Sequence, residues 1–155
     1  MAHALPTAAS TFPRRFDLAA SRAASAAPTA LPPLTPAAYL RLCREAARRP
    51  LDLVALRIAP RPADFEAARA LVQQLERPGV VARHPETLEA LAEAFAFDPD
   101  VYRQLATEPP ERHPRICRGC GLSDWDPRAL DASAWPSDQR CARCADEAGA
   151  REVTA

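Results

Sequence analysis

The chain has no lysine: all twenty of its basic side chains are arginine, against twenty acids, so the formal charge is zero. Lysine codons are A-rich, and a GC-rich coding sequence accounts for this as well as for the 35 alanines and 17 prolines. Arginine usage alone therefore identifies no phosphate ligand. Large apolar side chains are scarce too. The 48% hydrophobic share includes alanine, and without it about a quarter of the chain can fill an interior. No window approaches the ~20 apolar residues of a helical bilayer span, which excludes a membrane protein of that type. There is no glycine-rich phosphate loop and no Ser-His-Asp or Cys-His pairing, so no enzyme is expected. The 155 residues suit one ordinary domain, or a small one with additions. Prolines along the whole length interrupt any long helix or strand.

The zero charge is a sum of unequal parts. Residues 1–50 carry seven arginines against Asp17 and Glu45, whereas residues 63–112 hold ten acids and five arginines. A basic front and an acidic middle can steer a partner or pair with each other inside one fold.

Residues 1–34 are Ala, Ser, Thr, Pro and Arg with a single acid and no sustained apolar period, which predicts a disordered tail. The composition resembles a transit peptide, and Arg14-Arg15 resembles a twin-arginine export signal. No apolar h-region of about 7–15 residues follows, so a cytoplasmic protein is expected. From Thr35 the pattern changes. Thr35-Pro36 reads as an N-cap with proline in the first helical position, and Tyr39, Leu40, Cys43 and Ala47 repeat at helical spacing up to Arg49. A second helix fits Leu51–Ala59. Phe65, Ala68, Val72 and Leu75 predict a third over 63–77, ended by Pro78-Gly79. Pro85 opens a fourth with Leu88, Leu91, Ala92 and Phe95 on one face, and Asp98-Pro99 caps a fifth that buries Val101, Tyr102 and Leu105. The expectation is mainly α: a five-helix domain over 35–107, a linker over 108–114, a small C-terminal module over 115–148 and a tail over 149–155.

That module contains Cys117-Arg118-Gly119-Cys120 and Cys141-Ala142-Arg143-Cys144. Two CxxC turns supply four thiolates at chelating distance, the ligand set of a closed tetrahedral zinc site. Two disulfides are the alternative, but thiols stay reduced without export. One structural Zn2+ is therefore expected, held by Cys117, Cys120, Cys141 and Cys144. Its loss should melt residues 113–150 and spare much of the helical block. Trp125 and Trp135 are the main apolar mass of the module, and Trp135 with Leu122 or Leu130 is expected to cover the site. Cys43 reads as a buried, inert thiol, His84 as a solvent-facing or capping residue, and His113 as a plain linker residue.

The helical block resembles the lambda repressor/Cro-like (XRE-type) helix-turn-helix family. The resemblance runs from Ala37-Ala38-Tyr39-Leu40-Arg41-Leu42-Cys43-Arg44-Glu45-Ala46 through Leu51-Asp52-Leu53-Val54-Ala55 and Leu75-Glu76. It ends on Thr87–Phe95, Phe97-Asp98 and Tyr102, and covers about residues 36–106. Two departures fall in the middle. The family's short turn between helices two and three is replaced by Pro60-Arg61-Pro62 with about five extra residues, and the N-terminal end of helix three carries Asp64 and Glu66, which phosphates repel. The C-terminal part is similar to a small zinc module of phage and prophage proteins. It shares Cys117-Arg118-Gly119-Cys120-Gly121, then Trp135, Asp138, Cys141 and Cys144.

These resemblances imply a non-enzymatic, prophage-type transcriptional regulator with a zinc-ribbon-like or zinc-knuckle tail. Double-stranded DNA would lie against Arg41, Arg44 and Arg48, a stripe at i, i+3 and i+7 on helix one, and against Arg57, Arg61, Arg69 and Gln73, in a monomer or a homodimer. The rival is an adaptor that kept the helical fold and lost DNA recognition. It would turn Glu66, Glu76, Glu89 and Glu93 on helices three and four towards a protein partner.

Overall fold

In the computed structural model the described residues are 31–129 and 134–152, the side chains of 148–152 excepted. The expected N-terminal tail up to residue 30 and Leu130 lie outside them. Helices dominate: α1 Pro36–Ala46, α2 Leu51–Ile58, α3 Phe65–Leu75, α4 Pro85–Ala94, α5 Pro99–Thr107 and α6 Ala142–Glu152. Among the described residues the extended pairing amounts to two isolated bridges.

Proline sets the helix starts. α1, α4 and α5 each begin on one, where the missing N–H has no intrahelical partner to lose. Thr35 Oγ1 accepts from the Ala38 amide at 3.2 Å, and Asp98 Oδ1 accepts from Asp100 and Val101 at 2.9 and 3.3 Å. His84 precedes α4 without making a side-chain cap. α3 starts two residues later than its periodicity predicts, because Pro62–Asp64 forms a 3-10 turn first.

α1 ends three residues short of Arg49, and the cause is visible. The Arg48 amide bonds the Glu45 carbonyl (2.9 Å) and the Arg49 amide bonds the Arg44 carbonyl (3.0 Å), the paired bonds of a Schellman ending. Arg48 takes the left-handed position that usually holds glycine, with φ 52°. For an L-residue this costs about 1 kcal/mol. The predicted stripe of Arg41, Arg44 and Arg48 on one helix face therefore does not form.

The core collects Tyr39, Leu40 and Cys43 from α1, Val54 from α2, Val72 and Leu75 from α3, Leu88, Leu91 and Phe95 from α4 and its end, and Val101, Tyr102 and Leu105 from α5. α2 packs on α3 and α4, while α5 packs on α1 and α4. Phe97 fills the centre of an aromatic group, with ring centroids 5.7, 5.8 and 5.6 Å from Tyr39, Phe95 and Tyr102. The buried hydroxyls stay satisfied: Tyr102 accepts from the Ala82 amide at 2.9 Å and Tyr39 from the Asp98 amide at 3.4 Å.

Residues 108–114 are tied down and do not hang as a free linker. Gln104 donates to the Arg112 carbonyl at 2.7 Å, His113 Nε2 lies 2.8 Å from the Glu108 carbonyl, and Arg112 pairs with Glu108 at 3.1 Å. Ile116 then enters the helical core itself. At the other end α6 runs to Glu152, past residue 148, where the module was expected to end.

One ion pair joins distant parts of the block. Arg44 grips Glu76, at the end of α3, through Nε and Nη2 (2.9 Å to Oε2), and its Nη1 donates to the Arg49 carbonyl at 3.0 Å. The two charged side chains are only 11% and 10% exposed, so Glu76 is mostly covered and turns little of its charge to a partner. Removing one member of such a pair strands the other. Arg44→Ala is expected to cost about 3 kcal/mol in urea unfolding, and much more than Arg41→Ala, whose pair with Glu45 is solvated.

Candidate metal centre

The first cysteine pair sits on a tight knuckle. Ile116 and Ser123 bridge antiparallel, the Cys117 amide bonds the Leu122 carbonyl (2.8 Å), and the Gly121 amide bonds the Cys117 carbonyl (2.9 Å). Gly121 closes the turn at φ 77°, where a side chain is strained. The second pair is built differently. Ser137 bridges Arg140, Cys141 directly precedes α6, and Cys144 lies in the first turn of α6. A helix N-terminus carries partial positive charge, a favourable place for thiolates. The Arg118 amide ties the two halves together through the Gln139 carbonyl at 2.8 Å.

The four sulfur atoms lie within 4.8 Å of one another, and Cys120 and Cys141 are 3.7 Å apart. A metal–sulfur bond of about 2.3 Å in a tetrahedron requires edges of about 3.8 Å. A disulfide requires about 2.05 Å, and none of the four is bonded so. The group can hold a metal ion.

Backbone and charge fit the same purpose. The amides of Gly119 and Cys141 point at Cys117 Sγ, 3.4 and 3.3 Å away. Cys117 is lowered to about 4, first by the hydrogen bond from the Cys120 thiol and then, against the cost of burial, by those amides. Cys120 is pushed up by the same hydrogen bond, and burial leads in raising Cys144 to about 11. The Cys117 thiolate thus keeps the proton on Cys120, a balance that a divalent cation reverses. A Cβ on Gly119 would come within 2.9 Å of Cys144 Sγ, so the sulfur group also leaves no room for a side chain there.

Trp135 and Leu122 pack with the cysteines, as expected. The Trp135 indole donates to the Ala129 carbonyl at 3.2 Å, and Arg115 lies 4.8 Å over its ring. Trp125 differs. It is 48% exposed and belongs to no core.

The fifth cysteine connects the two halves of the molecule. A Cβ placed on Gly121 would sit 2.4 Å from Cys43 Sγ, so the knuckle is seated directly on α1. Burial pushes the Cys43 thiol up to about 12, in keeping with a packing residue. Glycine directly after Cys120 was a visible signal for the knuckle. Its seat on Cys43 was not, because no local pattern links positions so far apart.

Most of the arginines expected to touch DNA already hold a carboxylate partner. Arg41 pairs with Glu45, Arg44 with Glu76, Arg61 with Asp64 at 2.8 Å and Arg69 with Asp52 at 2.6 Å. Arg48 stands beyond the helix. Arg57 and Gln73 are exposed on α2 and α3, and Glu66, Glu89 and Glu93 are exposed as well. No protein-family model, no curated protein and no solved structure matches the chain.

Two outcomes follow from the seat of the knuckle. Chelation, or Cys117→Ser, is expected to raise amide hydrogen exchange in segment 36–46 as well as in 113–150; protection unchanged in 36–46 would uncouple the two. Gly121→Ala is expected to cost about 1–2 kcal/mol for the left-handed backbone, with a further overlap term of about 1–3 kcal/mol. Urea unfolding of the Gly121→Ala/Cys43→Ala pair should recover the overlap part, leaving the double variant more stable than the sum of the singles.

Proposed function

We propose that the chain is a non-catalytic, DNA-binding regulator of prophage type, working in the cytoplasm, in which Cys117, Cys120, Cys141 and Cys144 hold one structural Zn2+. The observation that carries the zinc assignment is the closed group of four sulfurs within 4.8 Å, half on a knuckle and half at the start of a helix. Four protein thiolates leave no open coordination position, so the ion contributes folding free energy, on the order of 10 kcal/mol, and no chemistry. The DNA reading is supported by the sequence resemblance of residues 36–106 to the lambda repressor/Cro-like family. It is also supported by exposed arginines without a carboxylate partner among the described residues, among them Arg48, Arg49, Arg57, Arg77 and Arg83.

A specific observation favours the adaptor as a second reading. Leu53 and Leu56 on α2 and Leu71 on α3 are exposed, and most of the arginines on the predicted DNA face are already paired. Such apolar side chains suit a protein partner or a second copy better than a phosphate backbone.

Elemental analysis of the purified protein should return one zinc per chain, falling to none in Cys117→Ser. Fluorescence anisotropy of zinc-loaded protein, with duplex DNA from upstream of its own gene beside a random duplex, tests the rest. Tighter binding to the native duplex, weakening steeply with salt, is the expected result. Absence of binding to either duplex at low salt, from folded protein, would leave the adaptor.

A further inference from the structure

The surface that the resemblance assigns to DNA is poorly suited to phosphate. The start of α3 presents Asp64 and Glu66, and Arg61 and Arg69 are occupied by Asp64 and Asp52. Cations without such partners gather elsewhere. Arg48 and Arg49 follow α1, Arg77 follows α3, and all three are exposed with no carboxylate partner among the described residues. Their proximity follows from Arg44. One guanidinium bonds the Arg49 carbonyl (3.0 Å) and the Glu76 carboxylate (2.9 Å), so segments 48–49 and 76–77 flank a single side chain. The two acids at this corner are engaged: Glu76 by Arg44, and Glu45 by Arg41 at 2.8 Å. The corner keeps a surplus of positive charge.

A second observation is independent of that count. Arg48 is the one non-glycine residue at positive φ among the described residues, in the helix-ending position where glycine is least costly. Favourable interaction with the negative ends of α1 and α3 gives Arg49 and Arg77 a structural role. It gives no reason for a side chain in the left-handed position when glycine would end the helix with less strain. Strain kept at an exposed, charged residue points to an external contact.

We infer that Arg48, Arg49 and Arg77 form a phosphate-binding corner that grips the backbone of duplex DNA. It is the sequence-independent part of the interaction and displaces the Arg41/Arg44/Arg48 stripe as the principal backbone contact. The inference rests on the DNA reading proposed above. Arg44 is its positioning residue, because the Arg44–Glu76 pair and the bond to the Arg49 carbonyl hold the two segments side by side.

The test uses full-length, zinc-loaded protein and a short random duplex, in anisotropy titrations over a salt series, with thermal unfolding of every variant. Arg49→Gln and Arg77→Gln are each expected to weaken binding several-fold and to reduce the slope of log affinity against log salt by about one. Arg112→Gln, at the surface between α5 and the knuckle, should leave both unchanged. Arg48→Gly separates contact from scaffold: it is expected to raise the melting temperature by a few degrees while weakening DNA binding. A purely structural arginine would give the first effect without the second. Salt-dependent binding by the wild type that none of the three variants alters would overturn the corner and leave the DNA reading standing. No binding by the folded wild type at low salt would overturn both.

Discussion

Four sulfur atoms within 4.8 Å of one another cannot all carry negative charge unless a cation stands among them. Much of the C-terminal third depends on that constraint. Its apolar content is small: Trp135, Ala129 and the cysteines form its own buried group, with Leu122 at the edge. A metal ion held by the four cysteines would substitute for a core too small to hold itself together, the usual solution for a short segment. The two ends of the site solve the electrostatic problem differently. The knuckle aims a backbone amide at sulfur, and the second pair uses the start of α6.

The site is not an appendage. Ile116, one residue before the first ligand, is buried among the helices, and Gly121, one residue after the second, is seated on Cys43 of α1. The ends of the knuckle are therefore anchored in the helical core while its tip is anchored in the sulfur group. A disturbance at the ligands is one peptide unit from residues packed on the helical core, Gly121 on α1 among them. His113, Gln104 and Arg112 stiffen the connection by bonding it back to the end of α5.

Charge is distributed by the same economy of means. A chain with equal numbers of acids and arginines can neutralise much of its own charge, and the helical block pairs Arg44 with Glu76, Arg69 with Asp52 and Arg61 with Asp64. Only the first of these is largely withdrawn from water, so only it has much influence on stability. The rest set which surfaces are neutral. Among the arginines left without a carboxylate partner, Arg48, Arg49 and Arg77 owe their proximity to the Arg44–Glu76 pair beside them.

Local chemistry made the helices and the ligands readable. Thr35-Pro36 and Asp98-Pro99 are caps that act within a few residues. The apolar spacing of Leu88, Leu91 and Phe95 needs only one helix to be recognised, and a CxxC pair chelates through its own turn. The mainly helical fold and the four clustered cysteines were accordingly determined by sequence alone. α1 ends before its periodicity does because Arg48 takes a backbone conformation that residue type argues against. The seat of Gly121 on Cys43, the burial of Ile116 and the pairing of Arg44 with Glu76 join residues separated by tens of positions. Periodicity carries no information about such contacts. Only the packed structure decides which arginines are spent on the interior and which remain for a partner, because that depends on which carboxylates the fold brings within reach.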